Sequence, residues 1–203
     1  MIPYVTEEEL LTALSNQHFA ISPLFKKALL QAKKSHKEQK RDDGKPYLEE
    51  HIYPVTLDLA ANFAGRENLE SLLAGALLHD VIEDDAKMND QRFIDQFGIE
   101  IYGIIKPITK SREDNSEKLT QIEKRAINEK IIRRLKQAPE ESCLVKLSDR
   151  ANNLECSLCL KELNPAKFER YIKETEDLYL PLASNTNDYY YNRLKKILKE
   201  LDE

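Results

Sequence analysis

The segment Leu72-Leu73-Ala74-Gly75-Ala76-Leu77-Leu78-His79-Asp80-Val81-Ile82-Glu83-Asp84-Asp85 ends an apolar run with a histidine and four carboxylates. On a helix, His79 and Glu83 are four residues apart, as are Asp80 and Asp84, so both pairs project towards neighbouring regions of one face. Carboxylates gathered near a helix C-terminus oppose the macrodipole and repel one another unless a cation is present. Two readings follow, a metal site or a solvated acidic helix end. Adjacent residues cannot complete a metal site alone. The candidates for further ligands are His51, in Tyr47-Leu48-Glu49-Glu50-His51, and Asp149, in Val145-Lys146-Leu147-Ser148-Asp149-Arg150. Each has a simpler alternative: His51 as a surface histidine of a helix, Asp149 as an N-cap or the ion-pair partner of Arg150. Two imidazoles and two carboxylates suit Mn, Fe, Co or Zn and leave positions open for water and a phosphate oxygen.

The elements that must position these residues are helical. Apolar residues recur at three and four in Leu24, Phe25, Ala28, Leu29, Ala32, in Leu57, Ala60, Ala61, Ala64, and in Leu69, Leu72, Leu73, Ala76, Leu77. Later helices follow from Ile131, Ile132, Leu135, from Phe168, Tyr171, Ile172, Leu178, and from Tyr191, Leu194, Ile197, Leu198, Leu201. Start and stop signals agree: Thr6 with Glu9 forms a capping box, Ser22-Pro23 and Asn164-Pro165 read as N-cap then first helical residue, and Gly65 and Gly98 read as helix ends. The polar stretch Lys110 to Lys118 reads as a mobile loop. The expected fold is all-α, a compact multi-helix bundle forming one domain over residues 1–203. Tyr189-Tyr190-Tyr191 is read as interface or core.

With 203 residues, 41% hydrophobic and 33% charged, the chain has enough apolar surface for a core, which argues against general disorder. No apolar run approaches the roughly 18 residues of a membrane span, and the N-terminus lacks the features of a signal peptide. These features point to a cytoplasmic protein without membrane contact. The net charge of -5 gives no general drive towards nucleic acid, so an anionic partner is held by local cations, which favours a small anionic ligand over DNA. Cys143, Cys156 and Cys159 are an odd set and read as free thiols. The Cys156-x-x-Cys159 pair lies inside a helical pattern, not at a helix start after a strand.

His51, His79-Asp80 and Asp149, in that order and spacing, resemble the H…HD…D signature of HD-domain phosphohydrolases. The surroundings are similar to the hydrolase domain of RelA/SpoT homologues: Gly44-Lys45-Pro46-Tyr47 before His51, Ala76 to Asp84, Phe97-Gly98, Ile108-Thr109-Lys110, Val145 to Arg150 with Asn153-Leu154, Glu174-Thr175 and Tyr179-Leu180-Pro181-Leu182-Ala183. The likeness covers about residues 25–185, and no synthetase domain is expected after it.

The resemblance implies a stand-alone small alarmone hydrolase that removes the 3′-pyrophosphate of ppGpp and pppGpp with Mn2+, returning GDP or GTP. It implies His51, His79, Asp80 and Asp149 as metal ligands, and Glu83 and Asp84 as the acidic pair that positions or deprotonates the attacking water. Asp85 stands where threonine is usual. Lys40 and Arg41 match a basic pair that contacts the nucleotide, in inverted order and one residue further from the glycine, so which of them meets the base stays open. Asn153, one turn after Asp149, matches an asparagine beside ribose or pyrophosphate, and Asn152 replaces a frequent histidine. Lys124, Arg125 and Lys146 could help bind phosphate and are read as surface charges; His18 and His36 match no metal position and are read as structural or solvent-exposed. Alternatives are an HD phosphohydrolase acting on an adenine alarmone or the 2′-phosphate of NADPH, and a nucleotide-binding module without turnover.

Overall fold

Where a helix must begin, the sequence supplies a side-chain oxygen for its orphan N–H groups. Thr6 and Thr120 form complete capping boxes with Glu9 and Glu123, while Ser22, Asn89 and Asn164 accept from the N3 backbone of their helices. The computed structural model describes residues 4–111, 113–115 and 118–202 and, among them, contains helices and turns but no strand. The helices are α1 (Glu7–Asn16), α2 (Pro23–Ser35), α3 (Tyr53–Phe63), α4 (Leu69–Leu78), α5 (Val81–Asp84), α6 (Asp90–Ile105), α7 (Gln121–Leu135), α8 (Glu140–Glu155), α9 (Leu160–Leu163), α10 (Pro165–Glu174), α11 (Leu180–Thr186) and α12 (Asp188–Asp202). The all-α expectation holds.

Helix α4 is the centre. It packs against α2, α3, α6 and α8, and Leu72 to Leu78 are all buried, as expected of a helix apolar on every side. Gly75 permits the closest of these contacts, since a Cβ there would lie 2.9 Å from Ile104 Cγ2 on α6. Gly98 is a break rather than an end: at φ 84° it bends α6, which resumes at once. Gly65 follows α3 in a turn, as anticipated. The tyrosine run belongs to the packing of α12: Tyr190 is fully buried and its hydroxyl, with that of Tyr189, donates to Asp58 on α3. Arg193 joins the same carboxylate and also pairs with Glu155 of α8.

Two five-residue wide turns, Leu48–Ile52 and Thr175–Tyr179, each run into a helix with proline in its first turn, Pro54 and Pro181. Proline has no N–H to offer the carbonyl four residues earlier, which favours widening at this point. In the stretch expected to be a mobile loop, Glu113–Asn115 form a short 3-10 turn, and Arg112, Ser116 and Glu117 lie outside the described residues.

Candidate metal centre and its acidic flank

The wide turn before α3 carries His51. Because Pro54 cannot donate to it, the Glu50 carbonyl accepts from Asn152 Nδ2 at 3.2 Å, and the same amide accepts from His51 Nδ1 at 2.6 Å. On the other side of the site, α4 ends at Leu78, and His79 folds back so that Nδ1 donates to Ala76 O at 2.7 Å. Both imidazoles are thereby fixed with Nε2 inward. The two Nε2 atoms lie 3.2 Å apart, and Asp80 Oδ2 is 3.1 Å from His79 Nε2 and 3.6 Å from His51 Nε2. Lone pairs aimed at one another at this distance call for a positive charge between them, either a proton or a metal ion. His51, His79 and Asp80 offer donor atoms all within 4.8 Å of one another and fit a cation by chemistry and by outer hydrogen bonding alike.

The electrostatics agree. Burial lowers the His51 pKa, whereas for His79 the opposing effect of burial is outweighed by the Asp80 carboxylate and its hydrogen bond, and the ring is pushed up to about 9. Asp80 is held well below the usual carboxylate range, despite its burial, by the two imidazoles. Tyr47 adds a donor at 2.5 Å from Asp80 Oδ2; burial and the carboxylate keep its hydroxyl protonated.

Asp149 stands beside this group rather than within it. Its Oδ1 is 3.5 Å from His51 Nε2, but its oxygens are engaged by Lys146 Nζ at 2.7 Å and by the Asn153 amide. Lys146 is therefore not the surface charge it was expected to be: it is buried one turn before Asp149 on α8, and this ammonium outweighs burial and lowers the Asp149 pKa. The i,i+3 spacing that makes the pair is visible in the sequence; its burial is not.

The helix does not run straight through the acidic segment. Asp80, at φ -101° and ψ -3°, starts a separate turn, α5, and the acids leave it in different directions. Glu83 accepts from the Lys110 backbone N–H at 2.7 Å, and Asp84 accepts from Gln39 Nε2 at 2.9 Å. Burial, reinforced by Asp80, raises both pKa values, that of Glu83 to about 7. Asp85 has another role: it accepts from Ser35 and Gln31 of α2 and from the Lys87 N–H, and is an ordinary ionised carboxylate with a lowered pKa.

Of the basic pair, Lys40 is exposed, while Arg41 reaches into the interior face. A turn closed by Gly44, at φ 84°, sets this direction, and Arg41 Nη1 donates to Asn153 Oδ1 at 3.0 Å with its guanidinium 5.7 Å from the Tyr47 ring centroid. Arg41, Glu50, Asn153, Cys156 and Tyr171 line a small cleft there. Tyr171 escaped sequence reasoning, which uses it only as one of the recurring apolar positions of a helix. Cys156 and Cys159 lie on a 3-10 turn; burial pushes the Cys156 thiol up to about 11 and raises that of Cys159. Arg125 pairs with Glu129 and Asp177. His18 is exposed, whereas His36 is buried.

An all-helical bundle that gathers two histidines and an aspartate from separate segments, with partly buried acids in the next turn, has the make-up of a phosphohydrolase that works with a divalent metal. The HD domain family matches residues 28–187, and the chain belongs to it. It is 35% identical over 164 residues to the GTP pyrophosphokinase rsh of Brucella melitensis, covering 79% of this chain and 20% of that protein. With the GTP pyrophosphokinase of Myxococcus xanthus the identity is 34%, again over 79% of this chain and 20% of the relative. The chain thus spans a fifth of the length of these relatives. A solved structure described as "A metazoan ortholog of SpoT hydrolyzes ppGpp and plays a role in starvation responses" has the same fold, with a TM-score of 0.71 and 22% identity over 88% of this chain and 96% of the other. The resemblance to RelA/SpoT hydrolase domains stands. No helix among the described residues is long and apolar enough to cross a membrane.

Proposed function

We propose that this chain hydrolyses the 3′-pyrophosphate of guanosine alarmones, ppGpp and pppGpp, to GDP or GTP and pyrophosphate, with Mn2+ held by His51, His79, Asp80 and Asp149. The observation that carries the reading is the pairing of an inward-facing His-His-Asp group with two partly buried carboxylates of raised pKa, Glu83 and Asp84, in the following turn. The relatives named GTP pyrophosphokinase, and the neighbour whose title says that it hydrolyzes ppGpp, support this substrate class. Two imidazole and two carboxylate donors are of the borderline-to-hard kind that Mn2+ accepts, and other divalent transition metals share it.

When bound, the cation supplies Lewis acidity that makes a phosphoryl group more electrophilic and a water easier to deprotonate. The chain's own residues do the rest. Glu83, held protonatable near neutrality by its burial, accepts the proton of the attacking water, and Asp84 orients that water from the other side. Lys146 keeps Asp149 ionised in a buried setting, and Asn152 and Ala76 keep His51 and His79 in the tautomer that leaves Nε2 available. Arg41 and Tyr171 offer a guanidinium and a ring face to the purine, with Asn153 between them and Asp149 to meet the ribose or the pyrophosphate.

Purified protein incubated with ppGpp and Mn2+, with NADPH and an adenine alarmone in parallel, tests this reading. GDP and pyrophosphate from ppGpp are the expected products. No release from ppGpp in the presence of metal, or preferential turnover of NADPH, overturns the substrate assignment.

A further inference from the structure

The reading above gives Asp84 a task that depends on where its carboxylate points, and three contacts converge on that question. Gln39 is fixed at its backbone from both sides: its N–H donates to His36 O at 3.1 Å and its carbonyl accepts from Tyr47 N–H at 3.0 Å. Its side-chain amide bridges two groups, with Oε1 at 2.6 Å from His36 Nδ1 and Nε2 donating to Asp84 Oδ2 at 2.9 Å. Only one orientation of that amide satisfies both ends. With the NH2 donating to Asp84, Oε1 faces the imidazole and accepts from it, and this pairing assigns the Nδ1–H tautomer to His36.

His36 is an unusual ring for a purely structural role. It is 1% exposed, its Nε2 has no hydrogen-bond partner among the described residues, and it sits at the end of α2 where a helix cap needs no imidazole. Its Nδ1 is 3.8 Å from Asp84 Oδ2, too far to bond directly. Its plane is tilted by 36° to the ring of Tyr47, 5.2 Å away, and Tyr47 in turn donates to Asp80 and packs on His51. An imidazole locked by such packing offers its Nδ1–H in one direction, towards Gln39.

We propose that Gln39 is a positioning residue for Asp84, and that His36 acts one step further out by fixing the orientation of the Gln39 amide. His36, Gln39 and Asp84 thus form a second hydrogen-bonded arm of the site, parallel to Asn152 and His51 on the metal side. The backbone N–H of Lys110 does for Glu83 what the Gln39 amide does for Asp84, so each acid of the pair has its own anchor from a different segment. The proposal rests on the pyrophosphohydrolase reading for its kinetic readout, and on the geometry alone for its structural one.

The kinetic test compares wild-type protein with Gln39→Leu, His36→Leu and His36→Asn under saturating Mn2+. Asparagine presents an amide N–H close to where imidazole Nδ1–H lies. Gln39→Leu and His36→Leu should lower kcat roughly 10- to 100-fold, the loss expected when a hydrogen bond to a charged group is removed, with KM within about twofold of wild type. His36→Asn should recover most of that loss. Wild-type kcat in Gln39→Leu overturns the proposal, as does a loss in His36→Leu that follows the melting temperature and is not recovered by His36→Asn. If wild-type protein itself releases no pyrophosphate, the functional reading fails and the arm is judged by NMR. The Gln39 side-chain amide signals should then shift in both Asp84→Ala and His36→Leu; signals unmoved by either variant overturn the proposal.

Discussion

Glu83→Gln should separate the cost of the acid from its use. Glu83 is partly buried, and its pKa is pushed up to about 7 from an ordinary 4.5, so below that pH the folded chain prefers the protonated carboxyl. A carboxyl with a raised folded pKa contributes stability that is full below its unfolded value, near 4.5, and is lost as the pH climbs through 7. Between pH 5 and pH 8, that loss amounts to about 2.5 kcal/mol for this shift. Glutamine copies the protonated form at every pH and can still accept from the Lys110 N–H. The variant should therefore gain on wild type by about that amount as the pH rises from 5 to 8, while losing turnover. Urea melts of both proteins, freed of metal by a chelator, measure it, since groups remote from Glu83 titrate equally in the two and cancel. A stability gap that stays constant between the two pH values would refute the assignment of a raised pKa to Glu83.

Three further outcomes follow from the geometry. Asn152→Ala removes the acceptor that fixes His51, and Mn2+ affinity followed by EPR should fall about 10- to 100-fold; unchanged affinity would mean that the wide turn alone orients the ring. Arg41→Ala should raise KM for the nucleotide roughly 10-fold or more, whereas Lys40→Ala, at an exposed position, should leave it near wild type; the reverse ranking would place the other cation at the base. Gly75→Ala drives a methyl against Ile104 and should cost about 1 to 3 kcal/mol in urea melts, with no change expected in KM.

Much of the fold was legible because periodicity and capping depend on local sequence. Thr6 with Glu9, Ser22-Pro23 and Asn164-Pro165 each start a helix where anticipated. Gly98 shows the limit: its positive φ was foreseeable, but whether the chain stops or resumes after it depends on what Phe97 and Ile101 pack against. The site follows the same division. The histidines and acids stood out by type and spacing, yet a straight helix through His79 and Asp84 would have put both acids on one face, and the turn at Asp80 sends them to separate anchors. Lys146 reads as a surface charge, and His36 stays open between structural and solvent-exposed, because burial of a cation or a ring is decided by helices distant in sequence. Pro54 is the one local sign of the Asn152 contact, since it frees the Glu50 carbonyl that orients that amide.

The central claim is a division of labour, with His51, His79, Asp80 and Asp149 holding a metal while Glu83 and Asp84 act on the water. Calorimetric titration of chelated protein with Mn2+, followed by pyrophosphate release from ppGpp on the same samples, tests it most directly. Wild-type protein should bind and turn over, Asp80→Asn should do neither, and Glu83→Gln should bind as wild type does but release pyrophosphate at least about 100-fold more slowly. Metal binding retained in Asp80→Asn, or wild-type turnover in Glu83→Gln, would contradict that division.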